Sequence, residues 1–300
     1  MTAIAVVGSW HLAHVTAACL AEIGHDVSLY FDAPLSATVY DNEPGLFELE
    51  ARMVETGRLR HASLACANWA RTVWLAEDMP LDKSGAPDAA SMFKLAGNLR
   101  GAFSDLNLMI VSSQVPIGTC RILEHQLAVP VAYVPENLRL GLAVDDFYHP
   151  DRLVIGAKLA ETRLAVREML SKITYGQEHA VVPIECSLET AEMVKHATNV
   201  FLATSISFAN EIARLGERFD VDSKAVAHAL RQDSRIGPKA YVRAGEGFAP
   251  GTLARDLRAL QWIGKAGGVP TPLVDAVLAV NDAAPKPPVR EHDTHLMRRH

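Results

Sequence analysis

The chain has 300 residues, 49% of them hydrophobic and 21% charged, with a formal net charge of −6. That length and composition suit two globular domains with a sizeable core. The acidic balance excludes the basic footprint of a nucleic-acid binder, and no apolar run approaches the roughly 20 residues that span a bilayer. Cys19, Cys66, Cys120 and Cys186 are scattered without a CxxC pair, which fits thiols kept reduced in the cytoplasm. The expected partner is a polar small molecule, with neither nucleic acid nor membrane.

In chain order, Met1 to Val7 lacks a basic n-region and reads as a first strand rather than a signal peptide. Gly8 follows. A helical Ala/Leu period then runs from Leu12 to Ile23 and ends at Gly24, before a second apolar run at Val27–Phe31. Further strands are expected at Thr72–Leu75, Leu106–Val111, Val129–Val134, Leu153–Ile155 and Ala180–Pro183. Helices are expected at Pro44–Glu55, Ala89–Leu106, Ile117–His125 and Glu161–Ile173. This alternation predicts an α/β fold, a Rossmann-like doubly wound parallel sheet with helices on both faces.

After Pro183 the pattern becomes helical throughout. Ser187 can cap a long Ala- and Leu-rich helix reaching about Phe219. Helices at Asp222–Arg231, Leu253–Ala266 and Thr271–Asn281 complete the expected all-helical domain. The expected division is 1–185 for dinucleotide binding, 186–283 for a helical dimerisation domain and 284–300 for a flexible tail without periodicity.

Gly8-Ser9-Trp10-His11-Leu12-Ala13 lies between a strand and a helix, where a GxGxxG dinucleotide fingerprint belongs. Gly8 keeps the first glycine and Ala13 is a tolerated third. Trp10 takes the second position, where a small residue lets pyrophosphate approach the backbone. The helix start, with His11 and Leu12, remains a potential anion site. Asp32, at the end of the second strand, is spaced for a ribose 2′-hydroxyl, which favours NAD over NADP. A repurposed pocket that holds no dinucleotide stays open as the other reading of this turn.

Further segments occur in a telling order: Glu43-Pro44-Gly45-Leu46-Phe47-Glu48-Leu49, Ser112-Ser113-Gln114-Val115-Pro116-Ile117-Gly118-Thr119, Pro135-Glu136-Asn137-Leu138-Arg139, Asp146-Phe147-Tyr148-His149-Pro150-Asp151-Arg152, Thr190 to Asn199, Asn210-Glu211 and Arg235-Ile236-Gly237. Together they resemble the UDP-glucose/GDP-mannose dehydrogenase family nearly to Asn281. The family's later nucleotide-binding domain is not expected in this chain. The resemblance implies NAD, a homodimer built on the long helix, and a set of site residues. Lys195 and Asn199, spaced i,i+4 on one helix face, would be the proton-transfer pair, since a lysine can take the hydroxyl proton as hydride leaves. Asp256 would orient and Glu136 would assist. Ser113 and Gln114 would face the cofactor, and Arg139, Thr252 and Gly247 the substrate.

Gly245 to Asp256 aligns with the family's GxGFGGxCFPKD, and Thr252 stands where the family has its nucleophilic Cys. A thiol with a pKa near 8.5 is partly ionised at neutral pH, whereas an alcohol needs a strong base beside it. Gln114 likewise stands where the family has a Thr that orients water. The expectation is a two-electron alcohol/carbonyl oxidoreductase that stops short of the family's four-electron oxidation. A non-redox enzyme and a catalytically silent binding protein are the alternatives. No metal site is expected: His11, His14 and His196 lack ligand spacing.

Overall fold

The computed structural model describes residues 2–31, 40, 42–63, 69–77, 79, 88–136, 138–174, 181–249 and 251–285. Asp32, Cys66 and most of the expected tail lie outside the described residues. The chain divides into two compact units, residues 1–79 with 88–195, and residues 80–87 with 196–300.

The first unit carries an eight-stranded sheet. Its strands are β1 (Ala3–Val7), β2 (Asp26–Tyr30), β3 (Leu59–Ala62), β4 (Thr72–Leu75), β5 (Leu108–Val111), β6 (Val131–Tyr133), β7 (Val154–Ala157) and β8 (Ile184–Cys186), in the spatial order β3-β2-β1-β4-β5-β6-β7-β8. Every pairing is parallel except β6 with β7. Alternate residues of β1 enter two separate cores. Ile4 and Val6 pack on one face of the sheet, Ala5 and Val7 on the other. A strand covered on both faces must be apolar at every position, which is why these runs show no polar alternation.

The helices α1 (His11–Glu22) and α2 (Leu46–Glu55) bury their apolar residues in the first core, while α3 (Ala89–Ala102) and α4 (Thr119–Leu127) bury theirs in the second. The short α5 (Ala143–Tyr148) lies in the return from β6 to β7, followed by α6 (Ala160–Met169) and α7 (Ser171–Thr174). The long α8 (Leu188–Gly216) begins in this unit, and the division into units falls within it. The Ser187 hydroxyl accepts the Thr190 amide at 3.2 Å, the cap expected of it.

Gly156 on β7 explains how closely α8 approaches the sheet, since a Cβ there would lie 2.5 Å from the Ala191 Cβ. Glu192 locks the same junction. Its buried carboxylate accepts the Gly118 amide at 2.6 Å and the Cys120 amide at 2.8 Å, taking up free N–H groups at the start of α4.

The described part of the second unit is helical, with the remainder of α8, then α9 (Ser223–Gln232), α10 (Thr252–Gly267) and α11 (Pro272–Asp282). Its core is Ala203, Phe248, Ala254, Leu257, Val274 and Val277. Among the described residues no helix is long and apolar enough to cross a membrane.

Candidate active site

The chain turns from β2 to β3 on one side of β1 and continues to β4 on the other, so the switch point of this sheet lies between the carboxyl ends of β1 and β4. Open α/β sheets bind ligands at that point. Gly8 follows β1 there. A Cβ on it would sit 2.4 Å from the Ala76 carbonyl oxygen and 2.8 Å from the Ala13 Cβ, so a glycine is required by contact with the neighbouring strand end and the first turn of α1. Trp10 occupies the N-cap of α1 and makes no side-chain cap bond. The amides of His11 and Leu12, the first two residues of α1, donate to no described group, leaving two donors and the helix dipole for an anion.

Two carboxylates border this turn. Glu77, just past β4, accepts the Ser9 amide at 2.8 Å. Glu43 is buried, accepts the Gly141 and Ala143 amides at 2.9 and 2.7 Å, and lies 3.3 Å from Nε2 of His11. Burial pushes the Glu43 carboxyl up, but His11 and the two amides outweigh this and hold it below the ordinary carboxylate range. His11 thus faces Glu43. Glu77 is a site residue the sequence reading missed. Its signal was available, an acid directly after a strand that ends at the switch point.

Further along the same sheet edge, Ser113 and Gln114 follow β5 and Glu136 follows β6. Ser113 is buried and its hydroxyl donates to the Leu75 carbonyl at 3.4 Å. The side-chain nitrogen and oxygen of Gln114 are both buried with no hydrogen-bond partner among the described residues. An orphaned buried amide costs about 1–3 kcal/mol, and a polar ligand at this edge would relieve it. The carboxylate of Glu136 accepts the Leu138 amide at 2.6 Å. Lys195 is buried, and its ammonium donates to the Glu136 carbonyl at 2.6 Å and to the Glu136 carboxylate at 3.1 Å. Arg139 is engaged by Asp146 through its guanidinium and its backbone amide; burial raises the Asp146 carboxyl, and Arg139 more than reverses that.

In the second unit, Asp256 on α10 is 0% exposed. It accepts hydrogen bonds from Nδ2 of Asn199 and from Nδ1 of His196, the latter at 2.7 Å. Asn199 stands one turn beyond Lys195 on α8. Thr252, the first residue of α10, is exposed, and no described group bonds its hydroxyl. Gly247 is buried, and a Cβ there would lie 2.5 Å from Oδ1 of Asn281, which itself accepts the Phe248 amide at 2.8 Å. Packing alone accounts for that glycine. Among the described residues no group of His, Cys, Asp and Glu could hold a metal ion.

A strand-turn-helix with a forced glycine, free helix-start amides and an orphaned amide farther along the edge fits a dinucleotide. Comparison with known proteins gives the same class. Residues 2–174 match the NAD binding domain of the UDP-glucose/GDP-mannose dehydrogenase family, and residues 189–283 match its central domain. The chain belongs to this family, and NAD is the cofactor of its first unit. It is 31% identical to UDP-glucose 6-dehydrogenase TuaD of Bacillus subtilis, covering 94% of this chain and 63% of that protein. Against UDP-glucose 6-dehydrogenase AglM of Haloferax volcanii the identity is also 31%, over 94% of this chain and 70% of that one. The UDP-glucose dehydrogenase structure from Pyrobaculum islandicum superposes with a TM-score of 0.83 at 30% identity, over 94% of this chain and 68% of that chain.

Proposed function

We propose that this chain is an NAD-dependent oxidoreductase that oxidises a CH–OH group of a polar hydroxylated substrate, such as a sugar or sugar nucleotide, by two electrons, or runs in reverse as a carbonyl reductase. The observation that supports it best is the buried ammonium of Lys195 held by the Glu136 carboxylate at 3.1 Å. NAD, when bound, supplies the hydride acceptor. The Lys195 ammonium passes a proton from Nζ to the Glu136 carboxylate, and the neutral amine so formed takes the hydroxyl proton as hydride leaves, so the pair relays one proton per turnover. Asn199 and Asp256 orient. The exposed Thr252 hydroxyl, with no described base upon it, supports a reaction that ends at the carbonyl. Relatives named for UDP-glucose give the first substrate to test.

The test is titration with NAD by calorimetry, followed by NADH formation with UDP-glucose and a panel of other hydroxylated sugars. One NADH per product is expected. Lys195→Ala should lower kcat about 10²- to 10⁴-fold, the range of general acid–base contributions. Two NADH per product would overturn the assignment. A second reading, a non-redox enzyme or silent binding protein on the same scaffold, is favoured by Trp10 in the fingerprint and by Glu77 on the Ser9 amide; it predicts no NADH at all. A homodimer on α8 completes the proposal. Cys19, Cys120 and Cys186 are free thiols, in keeping with a cytoplasmic setting.

A further inference from the structure

His196 had no role in the sequence reading, yet it is buried against Asp256, a carboxylate of the second unit with no exposure at all. An ionised carboxylate only accepts hydrogen bonds. Both of its neighbours must therefore donate. His196 has to carry its proton on Nδ1, 2.7 Å from Asp256, and Asn199 has to turn its NH₂ toward Asp256 and its carbonyl oxygen away. His196 and Asn199 stand i,i+3 on α8, so one face of that helix presents both donors to α10.

A buried carboxylate whose only partner is a neutral amide is expensive, and protonation is the usual escape. A protonated Asp256 would carry a donor of its own, and the Asn199 amide would no longer be held in one orientation. The imidazole prevents this, because its Nδ1–H gives the carboxylate a second donor, so that each Asp256 oxygen accepts a hydrogen bond. We propose that His196 is a positioning residue for the oxidation described above, acting through Asp256 to fix the Asn199 amide. The proposal rests on that functional reading, and its test separates the two.

Three full-length variants, His196→Phe, His196→Asn and Asp256→Asn, are compared with the wild type. Steady-state kinetics use UDP-glucose and NAD, calorimetry measures NAD binding, and ¹⁵N-labelled protein reports the imidazole N–H. His196→Phe should lower kcat about tenfold or more, the scale of losing one orienting hydrogen bond to a charged group, with NAD affinity unchanged. In His196→Asn the amide Nδ2 reaches the place of Nδ1, and most of the lost kcat should return. A protected imidazole N–H signal should vanish in His196→Asn and shift in Asp256→Asn. Full kcat in His196→Phe overturns the proposal, as does an equal loss in the Phe and Asn variants accompanied by lost NAD affinity. Wild-type protein that binds NAD but reduces it with none of the sugars overturns the functional reading instead. The imidazole signal still tests the pair in that case, and a signal indifferent to Asp256→Asn overturns it.

Discussion

Glu77 gives the dinucleotide turn a negative charge of its own. Its carboxylate on the Ser9 amide stands close to where the pyrophosphate of NAD must approach Gly8. Two negative charges near a protein surface repel by a few kcal/mol at contact and less with distance. Glu77→Gln keeps an acceptor for Ser9 and removes the charge, so NAD should bind about tenfold tighter. Unchanged or weaker binding in calorimetry would mean that Glu77 shapes the turn instead. A second buried acid, Glu50, lies between Nδ1 of His14 at 3.1 Å and Nε2 of His61 at 2.7 Å, and also accepts the Tyr40 hydroxyl at 3.1 Å. Burial pushes its carboxyl up, and the two imidazoles more than reverse that, holding it at about 2. Because the folded value lies below the unfolded one, the group stabilises the protein above about pH 4.5 and loses that contribution as pH falls toward 2. Glu50→Gln should cost about 3 kcal/mol in urea unfolding at pH 7, and the gap to wild type should close on acidification. Lys195, Asn199 and Glu136 could be singled out as candidates from sequence because they sit in ordered motifs. Glu50 and His196 could not, since each takes its role from a partner distant in the chain.

Most elements form where apolar period and punctuation placed them. Asp222 caps α9 by accepting the Lys224 and Ala225 amides. Three elements did not: β8 forms at Ile184–Cys186, past the run expected at 180–183, and two elements had no such signal. In β3, an edge strand, only Leu59 is buried, and Arg60 and His61 break any apolar run. In α5 only Ala143 is buried. The long helix α8 leaves Phe201, Phe208 and Leu215 exposed at seven-residue intervals, and Phe219 follows just past its end. Such a row on one helix face suits a second copy of the chain. Phe208→Glu should convert a dimer to a monomer in size-exclusion chromatography with light scattering. A wild-type protein that is monomeric at every concentration would remove the dimer from the proposal.

For the molecule as a whole, the interior of the sheet was legible because strands covered on both faces are largely apolar, as in β1 and β5. The antiparallel pairing of β6 with β7, Tyr133 opposite Gly156, was not, because residue pattern carries no strand direction. The division into units inside α8 had no punctuation either, since the residues around Lys195 and His196 continue one helix without Gly or Pro.

The order of the strands also bears on how the sheet can be made. After β1 and β2 pair, β3 adds beside β2, β4 beside the open side of β1, and β5 to β8 each join the outermost neighbour in turn. No strand has to be wedged between two that are already bonded. A polypeptide emerging from the ribosome amino end first can therefore lay down this sheet as it is synthesised, extending one edge or the other and never reopening it. The exposed backbone of the growing edge is the feature a nascent chain would need shielded until β8 arrives to complete the sheet.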